Sequence, residues 1–200
     1  MSTSPTSRGA TARGDDRRRS ILAAGVACLA DEGWAGLTHR RVAARAESTL
    51  GLVRYHFGDL EGLRREIARE VSGELAIPLR ESLGGASDRA DWIDRLLALV
   101  AGLDATRDEI ALLLQVMVGS LTYPEVAEVV RGDLDSMRDA LRDSLVALPD
   151  SVPVDRAAEV AAFVLSVVDG LLLGAALDPD TVGGHDRLLR TTVTALLAPP

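Results

Sequence analysis

The chain of 200 residues contains no lysine; all 22 of its basic residues are arginine. Cysteine occurs once, at Cys28, and tyrosine, phenylalanine and tryptophan occur twice each. A single cysteine forbids an internal disulfide and suits a reducing, cytoplasmic setting. So few rings in a chain that is 47% apolar imply an aliphatic core. Its alanines and leucines favour helices. The polar start, MSTSPTSRGATARG, is followed by no apolar run and does not read as a secretory signal. Catalytic signatures are missing as well. There is no Gly-x-Ser-x-Gly, no phosphate loop and no His-Glu-x-x-His, and one Cys with three scattered His gives neither metal nor triad spacing. An enzyme is not indicated, and neither cofactor nor metal is expected. One apolar run, Val160–Leu177, approaches a membrane span. It is short for the roughly 20 residues a span needs and holds Asp169 in its middle, so it reads as a buried helix of a bundle.

The charge that is present is unevenly placed. Residues 1–58 hold nine Arg and five acids, a net of +4; residues 59–200 hold thirteen Arg and 25 acids, a net of −12. The overall net charge of −8 therefore hides a basic module followed by an acidic one.

Hydrophobic spacing predicts about nine helices and no strand, an all-α chain. Residues 1–14 read as a disordered arm. A first helix runs from about Asp15 to Gly33 on Leu22, Val26 and Leu29. A second, short helix opens at Thr38 and a third at Ser48 or Thr49. Gly58-Asp59 ends the third and caps a fourth, which extends to Leu83 with a bend near Pro78. Five more patterns follow: Asp88–Leu103, a helix over 106–121 that is apolar nearly all round, Pro124–Leu148, Asp155–Leu177 and His185–Leu197. The implied domains are an arm (1–14), a three-helix unit (15–59) and a larger helical domain (60–200).

Two short helices joined by a tight turn can lay the second in a DNA major groove, provided a longer first helix packs behind them. The segment STLGLVRYHFGDLEGL, Ser48–Leu63, concentrates Arg54, Tyr55, His56 and Phe57 on or just after that second helix. Residues 17–63 resemble the helix-turn-helix of TetR-type transcriptional regulators. The match is ordered: Ile-Leu-x-Ala, then Gly-Trp-x-x-Leu-Thr, Val-Ala, and Gly-x-x-x-Tyr-His-Phe. The stretch VVDGLLLGAALDP (167–179) is similar to the penultimate helix of many members. Four positions depart from the pattern: Glu47 replaces a usual Gly, Ser48 a Val, Arg54 a Tyr and Leu60 a Lys. A left-handed turn at Glu47 would be strained.

Candidate DNA-binding residues follow. Arg54 could take guanine or phosphate, and Tyr55 and His56 the backbone. Thr38, His39 and Arg40 open the second helix, where free N–H groups favour a phosphate. Thr49, Leu50, Gly51 and Leu52 open the third: the leucines suit thymine methyls or packing on the first helix, and Gly51 suits close approach. Arg17 and Arg18 lie in an Arg triplet that opposes the helix dipole, as a DNA-contacting arm or as a solvated charge run. Phe57 and Cys28 read as core. Trp92, Gln115, Met117, Tyr123 and Phe163 are the candidate pocket liners, with plain core as the alternative. The resemblance implies a ligand-responsive regulator, a repressor in most members, that binds a palindromic double-stranded operator as a homodimer. It implies an interface on the last two helices, here with Phe163, Val167, Gly170, Leu171, Gly174, Leu188 and Thr192. The effector is expected to be a small apolar molecule. The other readings are a helical ligand-binding or interaction protein without DNA binding, suggested by Glu47, Ser48 and Leu60, and a small helical enzyme.

Overall fold

A computed structural model describes residues 6–73, 76–102, 106–177 and 185–198. Every regular element among them is a helix: α1 (Thr6–Gly36), α2 (His39–Arg45), α3 (Leu50–Phe57), α4 (Leu60–Ser72), α5 (Ala76–Leu83), α6 (Arg89–Ala101), α7 (Arg107–Gly119), α8 (Pro124–Val146), α9 (Val154–Leu177) and α10 (His185–Leu197). The chain divides into two compact units. Unit 1 is Met1–Gly73 with Gln115–Val130; unit 2 is Glu74–Leu114 with Arg131–Pro200.

Unit 1 is built by short capped helices on a long one. Thr38, Thr49 and Asp59 each stand in extended backbone before a helix, and their side-chain oxygens accept from Arg41 N, Leu52 N and Gly62 N at 3.2, 3.2 and 2.8 Å. Each cap satisfies an N–H that the helix cannot, worth about 1 kcal/mol. Gly33 (φ 66°) breaks α1, and Gly58 (φ 71°) ends α3. Buried Ile21, Leu22, Leu29, Leu37, Val42, Val53, Leu63 and Ile67 form the core, with Cys28 and Phe57 beside them as expected. At Gly25 the α1 and α4 helices cross so closely that a Cβ would stand 2.7 Å from Ile67 Cδ1.

Three differences from the expected outline have physical causes. Residues 6–14, read as a disordered arm, are helical, since an Ala/Thr/Arg-rich stretch extends a helix already nucleated by packing at Ile21–Leu29. The fourth helix breaks at Gly73 (φ 64°), not at Pro78. Pro78 falls in the first turn of α5, where no N–H is missed. The break divides the expected fourth helix in two among the described residues, and its first part, α4, falls within unit 1, which runs to Gly73.

In unit 2, Leu83, Trp92, Leu96, Leu141, Leu145, Val160, Val164, Leu189, Val193 and Leu197 are buried in one cluster. The Trp92 indole N–H donates to Ser144 Oγ at 2.8 Å. Arg89 and Arg156 donate to the carbonyls of Leu197 and Leu196 at 2.5 and 2.7 Å, closing the C-terminal end of α10. The apolar α7, expected to be central, has Val118 well exposed. Val154–Gly174 has the length and hydropathy (1.9) of a membrane span, and only 28% of that window is buried by its own chain.

Candidate nucleic-acid interface

The α2–turn–α3 unit separates its side chains cleanly. Val42, Ala43, Val53 and Phe57 point into the core. On the other side of α3 stand Leu50 and Leu52 (36% and 38% exposed), Gly51, Arg54 and Tyr55 (81% exposed). Leu50 and Leu52 each leave more than a third of their surface open to an outside partner. A Cβ on Gly51 would meet only its own neighbour Thr49 Oγ1, at 3.9 Å. Nothing within the chain requires glycine there. His56 is half-buried and meets Tyr55 edge-on, ring centres 5.1 Å apart, which steadies the end of the helix. Thr38 and Thr49 are caps, exposed at the two helix starts. Beside Thr38, His39 is half-buried with Nε2 turned inward.

The arginines of unit 1 fall into two groups. Arg41 pairs with Glu32, Arg45 with Asp31 (2.6 Å) and Arg19 with Asp16. Arg17, Arg40 and Arg54 are exposed and carry no ion pair among the described residues. Their charge is not neutralised by the fold. Arg17 lines an open cleft of about 490 Å³ with Ser20, Ala24, Arg45, Ala46 and Glu47. Arg18, expected on a DNA-contacting arm, is committed inside the unit instead. It pairs with Glu66 of α4 and lies 5.3 Å over the Phe57 ring. That partner is 48 residues away and leaves no local trace in the sequence.

Glu47 is the one non-glycine residue with positive φ (47°) among the described residues. The strain expected from the departure at the turn is therefore real. It is held by two backbone bonds, Glu47 N to Ala44 O (3.2 Å) and Ser48 N to Ala43 O (2.8 Å), that close α2. Ser48 buries its hydroxyl without a partner where an apolar side chain would need none.

The five candidate pocket residues are divided between the two units. Trp92 is fully buried in the unit 2 cluster and Phe163 packs against it. Gln115, Met117 and Tyr123 belong to unit 1. Tyr123 meets Trp34 at 5.7 Å between ring centres, and the Trp34 indole N–H donates to the Gln115 carbonyl at 2.8 Å. Trp34 entered the reading only through its place in a motif; its partners lie some eighty residues on.

Comparison with known proteins agrees with this geometry. Residues 89–198 match the C-terminal domain of BetI-type transcriptional repressors. The HTH-type transcriptional regulator BetI of Cronobacter sakazakii is 30% identical over 169 residues, 80% of each chain. The transcriptional regulator SCO7518 of Streptomyces coelicolor A3(2) superposes with a TM-score of 0.73 at 26% identity, covering 92% of this chain and 99% of that one. The multidrug binding protein EbrR, solved with imidazole, gives 0.68 at 26% identity over 92% and 96%. EbrR was also solved with proflavin, at 25% identity. These relatives are regulators and binding proteins rather than enzymes. A helix-turn-helix with unneutralised arginines at the front and a BetI-type domain behind it place the chain in the TetR family of ligand-responsive, DNA-binding transcriptional regulators.

Proposed function

We propose that the chain is a cytoplasmic repressor that binds a palindromic operator as a homodimer and is released by a small organic effector. The exposed, unpaired Arg40 and Arg54 flanking an open Gly51 are the observation that carries the DNA part of this reading. Arg54 sits where it can take a guanine edge or a phosphate, Arg40 and Thr38 where a phosphate meets the start of α2, and Leu50 and Leu52 where thymine methyls lie. Tyr55, His56, His39 and Thr49 complete the contact, with Arg17 reaching along the backbone.

Dimerisation is assigned to α9 and α10. Phe163, Val167, Gly170, Leu171 and Gly174 recur at helical spacing on α9, and Leu188 and Thr192 are one turn apart on an exposed side of α10. Added Cβ atoms at Gly170 and Gly174 would meet nothing within the chain. A second copy would cover this apolar surface. Two-fold related α3 helices then read half-sites about 34–36 Å apart or a multiple of that. The effector is assigned to the aliphatic helical domain and is small and apolar. Proflavin, complexed by EbrR, is a planar cation and serves as the contrasting probe to titrate against DNA-free protein.

The test is a gel shift on the DNA immediately upstream of the protein's own gene, across a salt series. A specific band that weakens log-linearly with salt is expected. Arg40→Ala and Arg54→Ala should each weaken it by about tenfold or more, a loss of roughly 1–3 kcal/mol. If neither substitution changes DNA binding, the assignment of the interface is wrong.

A further inference from the structure

Helix α4 is gripped at two points two residues apart. Arg64 reaches the α7–α8 corner: its Nη1 stands 3.0 Å from Glu125 Oε1, and its guanidinium lies 4.2 Å over the Tyr123 ring. The pair is inside the fold, with the Arg64 side chain 17% exposed and that of Glu125 6%. Tyr123 leans on Trp34, whose indole N–H holds the Gln115 carbonyl. Gly119 completes the seat, since a Cβ there would stand 2.2 Å from Trp34 Nε1. From the next-but-one residue of α4, Glu66 takes Arg18 of α1, and Arg18 covers the ring of Phe57, the last residue of α3. A continuous series of contacts therefore runs within unit 1 from the α7–α8 corner to the end of the recognition helix.

Two features make this series more than a staple. A buried ion pair is a weak source of stability, because desolvation cancels most of its attraction, yet removing one partner is costly. Such a pair is poorly suited to adding stability and well suited to fixing one arrangement. The covalent path matters too. α4 ends at the left-handed Gly73, whereas α7 and α8 each run unbroken through residues of both units. A regular helix carries displacement stiffly; a left-handed glycine does not.

We propose that Glu125 and Arg64 are positioning residues through which the α7–α8 corner sets α4 and, by way of Glu66 and Arg18, the seat of the recognition helix. This rests on the regulator reading above. Neither residue touches DNA. Movement of the corner reaches α3 through this pair, not through the interrupted α4–α5 connection.

The test is amide hydrogen exchange on the full-length, DNA-free protein, paired with operator and random-sequence duplex affinities. In Glu125→Gln the amides of Val53–Phe57 and Leu63–Ile67 are expected to exchange about tenfold faster or more, with those of Leu96, Leu97 and Val160–Val164 unchanged. Operator affinity falls about tenfold while random-duplex affinity stays within about twofold. Arg64→Lys, which keeps the charge, should stay near wild type. Trp34→Phe removes the indole N–H together with part of the ring that Tyr123 leans on and gives the same pattern more weakly, which covers a Glu125→Gln chain that does not fold. Exchange that rises equally in both units, or nowhere, overturns the proposal. If wild type binds no DNA but the local pattern holds, the regulator reading falls and the positioning role of the pair stands.

Discussion

Two helices leave apolar surface uncovered, and they do it differently. α3 is eight residues long, capped by Thr49, and shows Leu50, Leu52 and Tyr55 beside an Arg54 that no acid among the described residues pairs with. α9 is 24 residues long, carries Asp155, Arg156 and Glu159 at its start and only Asp169 beyond them, and shows Leu173 and Leu177 beside two glycines with open space around them. Both surfaces are incomplete without a partner. The charge next to them tells the partners apart. Free cations around a short exposed helix suit a polyanion, whereas an uncharged stripe with glycines suits another copy of the same stripe.

The comparison breaks most visibly at α9. Leu171→Arg would bury two unpartnered charges in a symmetric interface. Light scattering should find a monomer at micromolar concentration, and operator affinity should fall by about 100-fold because one half-site alone remains. A chain that stays dimeric would move the interface elsewhere. Gly51→Ala sharpens the α3 side. The added methyl meets only Thr49 Oγ1, at an ordinary contact distance of 3.9 Å, so the fold should gain roughly 0.5–1 kcal/mol while operator binding weakens about tenfold. Equal gains in both assays would show that DNA does not approach that close.

Glu47→Gly isolates the turn between α2 and α3. Relief of a left-handed glutamate should raise stability by about 1 kcal/mol, seen as a melting point higher by about 3 °C. An unchanged melting point would mean the turn carries no strain. The smallest effect belongs to Asp169, half-buried on α9. Burial raises its carboxyl above the usual range, so the folded chain favours the protonated form. The stability tied to this group is full below the unfolded value and is lost as pH rises through the folded value. Asp169→Asn should therefore melt above wild type at about pH 8, with the gap closing toward about pH 4. A gap independent of pH would remove Asp169 from the account.

Much of unit 1 was legible because its signals are local. Thr38, Thr49, Gly58 and Asp59 each act within four residues of where they stand, and the four-residue spacing of buried Val53 and Phe57 on α3 follows from the helical period. What was not legible depends on partners far along the chain. Arg18 looks like part of a basic triplet until Glu66 is seen beside it. Gly73 and Pro78 compete to break one helix, and the winner is decided by φ, which composition does not reveal. Trp92 and Tyr123 are alike as rare bulky residues, yet one is a hydrogen-bonded core residue of unit 2 and the other a platform for Arg64. Function was readable at the front of the chain for the same reason: DNA contact there is made by consecutive residues, whereas a pocket is assembled from several helices.

The two tryptophans have a practical consequence. Trp34 belongs to unit 1 and Trp92 to unit 2, and both indoles are buried and hydrogen-bonded. Each unit thus carries a single tryptophan of its own. In a Trp34→Phe chain the tryptophan emission comes from unit 2 alone, and in a Trp92→Phe chain from unit 1 alone. Unfolding of the two halves can be watched separately in the same cuvette, with no dye attached.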